Sequence, residues 1–103
     1  MVSRGELWWG ETPDAKGRPY LVVSRSAANE VMRSVLVAPV TSRVRGVPSE
    51  LSVGPREGLP IECVATFDNV QAMVKALLTR RLGELGPARQ RELCAVIFAT
   101  FDC

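Results

Sequence analysis

Two stretches decide the fold of this chain: Gly17-Arg18-Pro19-Tyr20-Leu21-Val22-Val23-Ser24 and Val35-Leu36-Val37-Ala38-Pro39-Val40-Thr41-Ser42. Each is a run of β-branched and other apolar residues bounded by Gly, Pro or Ser, which is the pattern of a buried strand. Each also sets a phosphate-capable residue at one end. Arg18 opens the first run with a planar, permanently charged fork suited to bidentate phosphate contact. Thr41 closes the second run with a small hydroxyl. If the two strands are neighbours in one sheet, Arg18 and Thr41 converge on one anion. The chain has no histidine, so phosphate chemistry here must proceed without the usual acid–base side chain.

Working outward, residues 20–25 and 35–41 read as strands, and Leu7-Trp8-Trp9 as a short aromatic strand before them. Residues 11–17 form a loop by turn chemistry, with Pro13, Asp14 and Gly17. Residues 26–34 hold a helical turn with Ser26 as its cap. Residues 42–48 are a basic loop, Leu51 and Val53 alternate as a half-wet strand, and residues 54–60 form a second loop. Residues 63–67 and 70–74 are two strands, or one strand broken near Asp68-Asn69; residues 79–85 are ambiguous. Gly86-Pro87 starts a helix whose apolar face is Leu93, Cys94, Ile97, Phe98 and Phe101, expected to be core. Short Gly/Pro turns between strands favour a small, strongly curved antiparallel sheet or barrel closed by a C-terminal helix, in a single domain over residues 1–103.

Composition bounds the function. The chain has 103 residues, 47% hydrophobic and 23% charged, which is ordinary for a globular protein and marginal for one core, so dimerisation would help. A net charge of +2 excludes a uniformly basic nucleic-acid coat. Eleven of the thirteen basic residues are Arg, as suits phosphate contact and base stacking; an Arg-rich coding bias would produce the same count. Cys63, Cys94 and Cys103 have no CxxC spacing, so the usual zinc ligands are too few. They read as reduced thiols, Cys63 and Cys94 in the core and Cys103 exposed. No leader-like apolar segment opens the chain and no run is long enough to span a membrane, which points to the cytoplasm.

The motifs Arg4-Gly5-Glu6-Leu7-Trp8-Trp9, Gly17 to Ser24, Val37-Ala38-Pro39-Val40-Thr41-Ser42, Gly58-Leu59-Pro60, Phe67-Asp68-Asn69-Val70 and Arg81-Leu82-Gly83-Glu84-Leu85 occur in this order along nearly the whole chain. In that order the sequence resembles the MazF/PemK toxin family. The resemblance implies a mainly β fold with α, an SH3-like small antiparallel β-barrel of the CcdB/MazF type with a C-terminal helix. It also implies a homodimer and a ribonuclease that needs no metal or other cofactor and cuts single-stranded RNA at short sequences. A cognate MazE-like antitoxin would fill the RNA groove; an acidic, partly disordered segment is the physical expectation. The family's catalytic Arg and Thr fall on Arg18 and Thr41. Where the family commonly has Gln-Val-Arg after the late-strand Asp, this chain has Asn69 and Gln71, which bears on how RNA is held. Its first inter-strand loop is also short.

RNA can be cut without metal when its own 2′-OH attacks the adjacent phosphate. Arg18 suits charge stabilisation on the phosphorane, and Thr41 suits a non-bridging oxygen. Glu6, Glu11, Asp14 and Glu62 are possible bases, none singled out. Arg25, Arg43, Arg45 and the weaker Ser42 are candidate phosphate contacts; Asn29, Asn69 and Gln71 are candidate readers of base edges. Each has a plain structural alternative: a solvated Arg, a turn-capping hydroxyl. Arg80-Arg81 reads as a solvated pair, and strand alternation makes one of Trp8 and Trp9 core and the other an interface residue. Two rival functions stand beside the ribonuclease. A CcdB-like gyrase poison would act through a C-terminal Trp-Gly-Ile, but this chain ends Phe101-Asp102-Cys103. A catalytically inactive RNA-binding module would not need Arg18 and Thr41.

Overall fold

The computed structural model describes residues 2–14 and 16–102; the expectation for Cys103 lies outside them. Within the described residues the apolar runs form seven strands: β1 Glu6–Gly10, β2 Arg18–Val22, β3 Ser34–Thr41, β4 Glu50–Val53, β5 Cys63–Thr66, β6 Gln71–Val74 and β7 Leu78–Glu84. A short helix α1, Ser26–Val31, joins β2 to β3, and α2, Gln90–Phe101, ends the fold. The sheet runs β4-β5-β3-β2-β1-β7, with β6 also paired to β3. All pairings are antiparallel.

The eight-residue β3 organises the molecule. One edge carries β2. The other carries β6 against Ser34 to Val37, then β5 against Val40 and Thr41. That change of partner curls the sheet into an antiparallel half-barrel, as expected. Strand alternation sends Leu21, Ala38 and Val40 into the main core with Leu51, Phe67 and Leu93. It sends Tyr20, Val22, Val35 and Val37 into a second cluster with Met73 and Leu78. Both faces of β2 and β3 are therefore covered, which is why these runs are almost continuously apolar. Each fully buried Leu or Phe contributes roughly 1.5–3 kcal/mol by leaving water.

Among the described residues no strand closes the gap between β7 and the β4 side. The 3-10 turn Pro55–Glu57 packs there against β7. The crossing is backbone on backbone: a Cβ at Gly58 would collide with the Leu82 carbonyl, and one at Gly83 with the Glu57 carbonyl. Gly58 also sits at φ 97°, in the left-handed region. Beneath the turn, the buried Glu57 accepts the Gly54 N–H at 2.7 Å and pairs with Arg89 at 3.2 Å.

Several expectations are corrected. The strand expected over 20–25 is β2, Arg18–Val22; at its end the Ser24 hydroxyl replaces a main-chain acceptor and takes the Leu36 N–H at 3.1 Å. Ser26 does not cap α1. Arg25 occupies the cap position without a side-chain bond, and the Ser26 hydroxyl accepts the Arg4 N–H at 3.0 Å. The ambiguous residues 79–85 fall largely in β7, Leu78–Glu84, and the break near Asp68-Asn69 is a 3-10 turn, Phe67–Asn69. The inner face of α2 is Leu93, Val96 and Ile97, not the stripe through Cys94 and Phe98. Phe98 and Phe101 are 69% and 59% exposed and Cys94 is exposed, while Cys63 is half-buried. Neither Trp is fully core. Trp8 packs on the second cluster and Trp9 lies on the opposite face, donating to Glu11 at 3.0 Å.

Candidate active site

The β2–β3 register pairs Tyr20 with Pro39 and Val22 with Val37. Followed two residues outward, it sets Arg18 opposite Thr41 on the same face as Tyr20 and Pro39. They line one cavity of about 170 Å³ with Pro39, Arg43, Arg45, Thr66 and Asn69. A second cavity of about 400 Å³ adjoins it, lined by Thr12, Asp14, Arg18, Tyr20, Pro39, Asn69 and Gln71. Arg18, Pro39 and Asn69 border both.

The smaller cavity has three guanidinium groups and no carboxylate on its walls, an arrangement that favours an anion. The Thr41 oxygen accepts the Arg43 N–H at 3.2 Å. That bond fixes the hydroxyl's position and leaves its proton to point elsewhere. The basic loop is held by Glu50, whose carboxylate accepts the Arg45 and Gly46 N–H groups at 3.1 and 2.9 Å. The loop's main chain is thus pinned without using either arginine head. Asn69 sits on the 3-10 turn between β5 and β6. The Ser49 hydroxyl holds that turn by donating to Asp68 at 2.5 Å. Thr66 donates to the Pro39 carbonyl at 3.2 Å, tying β5 to the cavity wall.

Residues 3–101 match the family described as the PemK-like, MazF-like toxin of type II toxin-antitoxin system. The chain belongs to this family. It is 37% identical over 104 residues to the probable endoribonuclease MazF5 of Mycobacterium tuberculosis, covering 100% of this chain and 95% of that protein. It is also 37% identical to the probable endoribonuclease MazF2 of the same species, covering 99% and 100%. Among solved structures, the Mycobacterium tuberculosis toxin MazF-mt6 superposes with a TM-score of 0.86 at 30% identity, over 94% of this chain and 96% of that one. A mycobacterial endoribonuclease in complex with its cognate antitoxin shares the fold, with a TM-score of 0.83 at 24% identity over 97% and 94%.

In this MazF-like chain, the sequence-derived candidates divide cleanly. Arg18, Thr41, Arg43, Arg45 and Asn69 come together, with Gln71 in the adjoining cavity. Ser42 does not join them. Alternation turns it to the opposite face, where it lines an apolar groove with Trp9, Ile61 and Cys63. Arg25 lines neither cavity. Asn29 is only 1% exposed; it accepts the Ser24 hydroxyl at 2.5 Å and donates to the Ser24 carbonyl at 3.1 Å, so it cannot reach a base.

Of the four carboxylates considered as bases, three are placed elsewhere. Glu6 is engaged by the Trp8 indole and by Arg81, both at 3.0 Å. Burial pushes its carboxyl up, but hydrogen bonds from Trp8, the Ser3 N–H and Arg81 outweigh it and leave the value lowered. Glu11 accepts from Trp9, and Glu62 lines the hollow beside Gly54. Asp14 alone borders a cavity with Arg18. Burial, then the nearby Glu62, raises the Cys63 thiol above its ordinary value. Thr66, Thr12 and Glu50 were missed from sequence, because only strand register or a long-range bond reveals them. Among the described residues no three His, Cys, Asp or Glu side chains come together as a metal site, and no helix is long and apolar enough to cross a membrane.

Proposed function

We propose that the protein is the toxin of a type II toxin–antitoxin pair and an endoribonuclease that cleaves single-stranded RNA in the cytoplasm. The observation that carries this reading is the convergence of Arg18 and Thr41 on one arginine-rich cavity. A phosphodiester seated there has Arg18 toward its developing negative charge, and Thr41 donates to a non-bridging oxygen. The 2′-oxygen then bonds to phosphorus as the bond from phosphorus to the 5′-oxygen breaks. The 2′-hydroxyl proton passes to solvent and the 5′-oxygen takes one from solvent, so the step is proton-neutral. The products are a 2′,3′-cyclic phosphate and a 5′-hydroxyl, and DNA, lacking the nucleophile, is not cut.

Fixed donors aimed at developing charge are commonly the largest catalytic contribution, so Arg18 carries most of the rate. Arg43 and Arg45 hold flanking phosphates and position the strand. The active unit is proposed to be a homodimer, held in check by a MazE-like antitoxin that occupies the RNA groove. The gyrase-poison reading gains nothing from this geometry, since it has no use for a phosphate cavity on β2 and β3.

The test is incubation of the purified protein, free of antitoxin, with a mixed RNA pool in EDTA, followed by sequencing of 5′-hydroxyl ends. Cuts clustered at one short sequence support the reading. Intact RNA with folded protein refutes it.

A further inference from the structure

The two adjoining cavities differ in size and in charge. The smaller, about 170 Å³, is walled by Arg18, Arg43 and Arg45 and suits a phosphate. The larger, about 400 Å³, falls within the roughly 300–1,000 Å³ typical of small-molecule sites and carries one carboxylate, Asp14. Asn69, Gln71 and Thr12 line the same space with Tyr20, Pro39 and the shared Arg18. A carboxylate and two amides, with one arginine against the three of the smaller cavity, suit a nucleobase read on its edge better than a second phosphate.

We infer that Asp14, with Gln71 and Asn69, reads the base beside the scissile phosphate and selects one bearing an exocyclic amino group, rejecting uracil. This inference rests on the ribonuclease reading above. Its chemistry is specific. An ionised carboxylate only accepts hydrogen bonds. Cytosine and adenine each offer an amino N–H₂, and guanine offers two adjacent donors on its Watson–Crick edge. Uracil sets a single N–H there between two carbonyl oxygens, so a carboxylate that accepts this one donor is pressed against two acceptors and gains no amino group. The amides serve whichever acceptor flanks the amino group, because each carries both a donor and an acceptor. The shared wall at Arg18 fixes the position that is read: it is the nucleotide next to the phosphate being cleaved. Asp14 is thus a specificity residue, while Arg18 and Thr41 do the chemistry.

The test compares wild-type protein with Asp14→Asn on a randomised RNA library in EDTA, mapping cut sites and their rates. Wild type should disfavour uracil about tenfold or more at one position next to the cut. Asp14→Asn, which keeps the shape but adds a donor, should relieve that rejection about tenfold and leave the other positions unchanged. An unchanged profile overturns the inference, as does a uniform loss of rate at every site, which would make Asp14 an acid–base or structural group. A parallel binding selection uses 2′-O-methyl oligonucleotides, which cannot be cleaved. Uracil depleted there by wild type but not by Asp14→Asn, with no cleavage of the RNA library, would keep the reading site and remove the ribonuclease reading. No depletion in either selection removes the reading site.

Discussion

Replacing Gly83 with Ala tests how the half-barrel is closed. Gly83 lies inside β7, where glycine ordinarily costs about 0.5–1 kcal/mol relative to alanine. On local grounds Gly83→Ala should therefore stabilise. The crossing reverses the sign. A Cβ at position 83 would collide with the Glu57 carbonyl oxygen and lie 2.7 Å from its carbon, and both are main-chain atoms that no rotamer change can move. Overpacking of this kind costs typically 1–3 kcal/mol. The strain passes to the turn that holds the buried Glu57 and its bonds to Gly54 and Arg89, so the upper end of that range applies. A net loss of about 2 kcal/mol corresponds to a Tm lower by about 8–16 °C in a domain of this size. Urea unfolding followed by Trp8 and Trp9 fluorescence should show a lower midpoint with an unchanged slope. Cleavage per folded molecule should be unaffected, because β7 contributes nothing to the Arg18 cavity. A variant as stable as wild type, or more stable, would refute the crossing as the closing contact.

Leu93→Ala should cost about 2–5 kcal/mol because Leu93 is fully buried, whereas Phe98→Ser, at an exposed position, should stay within about 0.5 kcal/mol; chemical unfolding of both decides which stripe of α2 faces the core. The Glu6 carboxyl is held below its ordinary value in the fold, so it stabilises the protein above the unfolded glutamate value of about 4.3 and this contribution fades as pH falls through its folded value. Glu6→Gln should therefore be less stable than wild type at neutral pH and converge with it on acidification; a gap that persists or widens in acid would contradict the Trp8 and Arg81 bonds.

Arg18 and Thr41 were legible in the sequence for a physical reason. Their strands are buried on both faces, so the apolar runs are unmistakable, and the polar residue at each end stands out. Strand β7 was obscure because Arg80, Arg81 and Glu84 are exposed and mask its pattern. On α2, Leu93 and Ile97 fit two overlapping helical stripes, and periodicity alone could not choose between Val96 and Phe98 as their inward neighbour. Ser42 was grouped with Thr41 by adjacency, although the two-residue period of a strand already places neighbours on opposite faces. Asn29 and Glu57 look like surface residues. They are buried because Ser24, and Gly54 with Arg89, satisfy them, and such partners are set by tertiary structure. Thr66 joins the site only through the β3–β5 pairing, a contact distant in sequence.

Whether Arg18 and Thr41 act on one phosphate is tested most directly by single-turnover cleavage of a defined RNA in EDTA by wild type, Arg18→Ala and Thr41→Ala. Arg18 is exposed and its side chain makes no hydrogen bond or ion pair among the described residues, and the Thr41 hydroxyl makes one exposed contact, so both variants should unfold within about 0.5 kcal/mol of wild type. Each should lose about 100- to 1,000-fold in rate while remaining folded. Rates within a few-fold of wild type in both folded variants would contradict action on one phosphate.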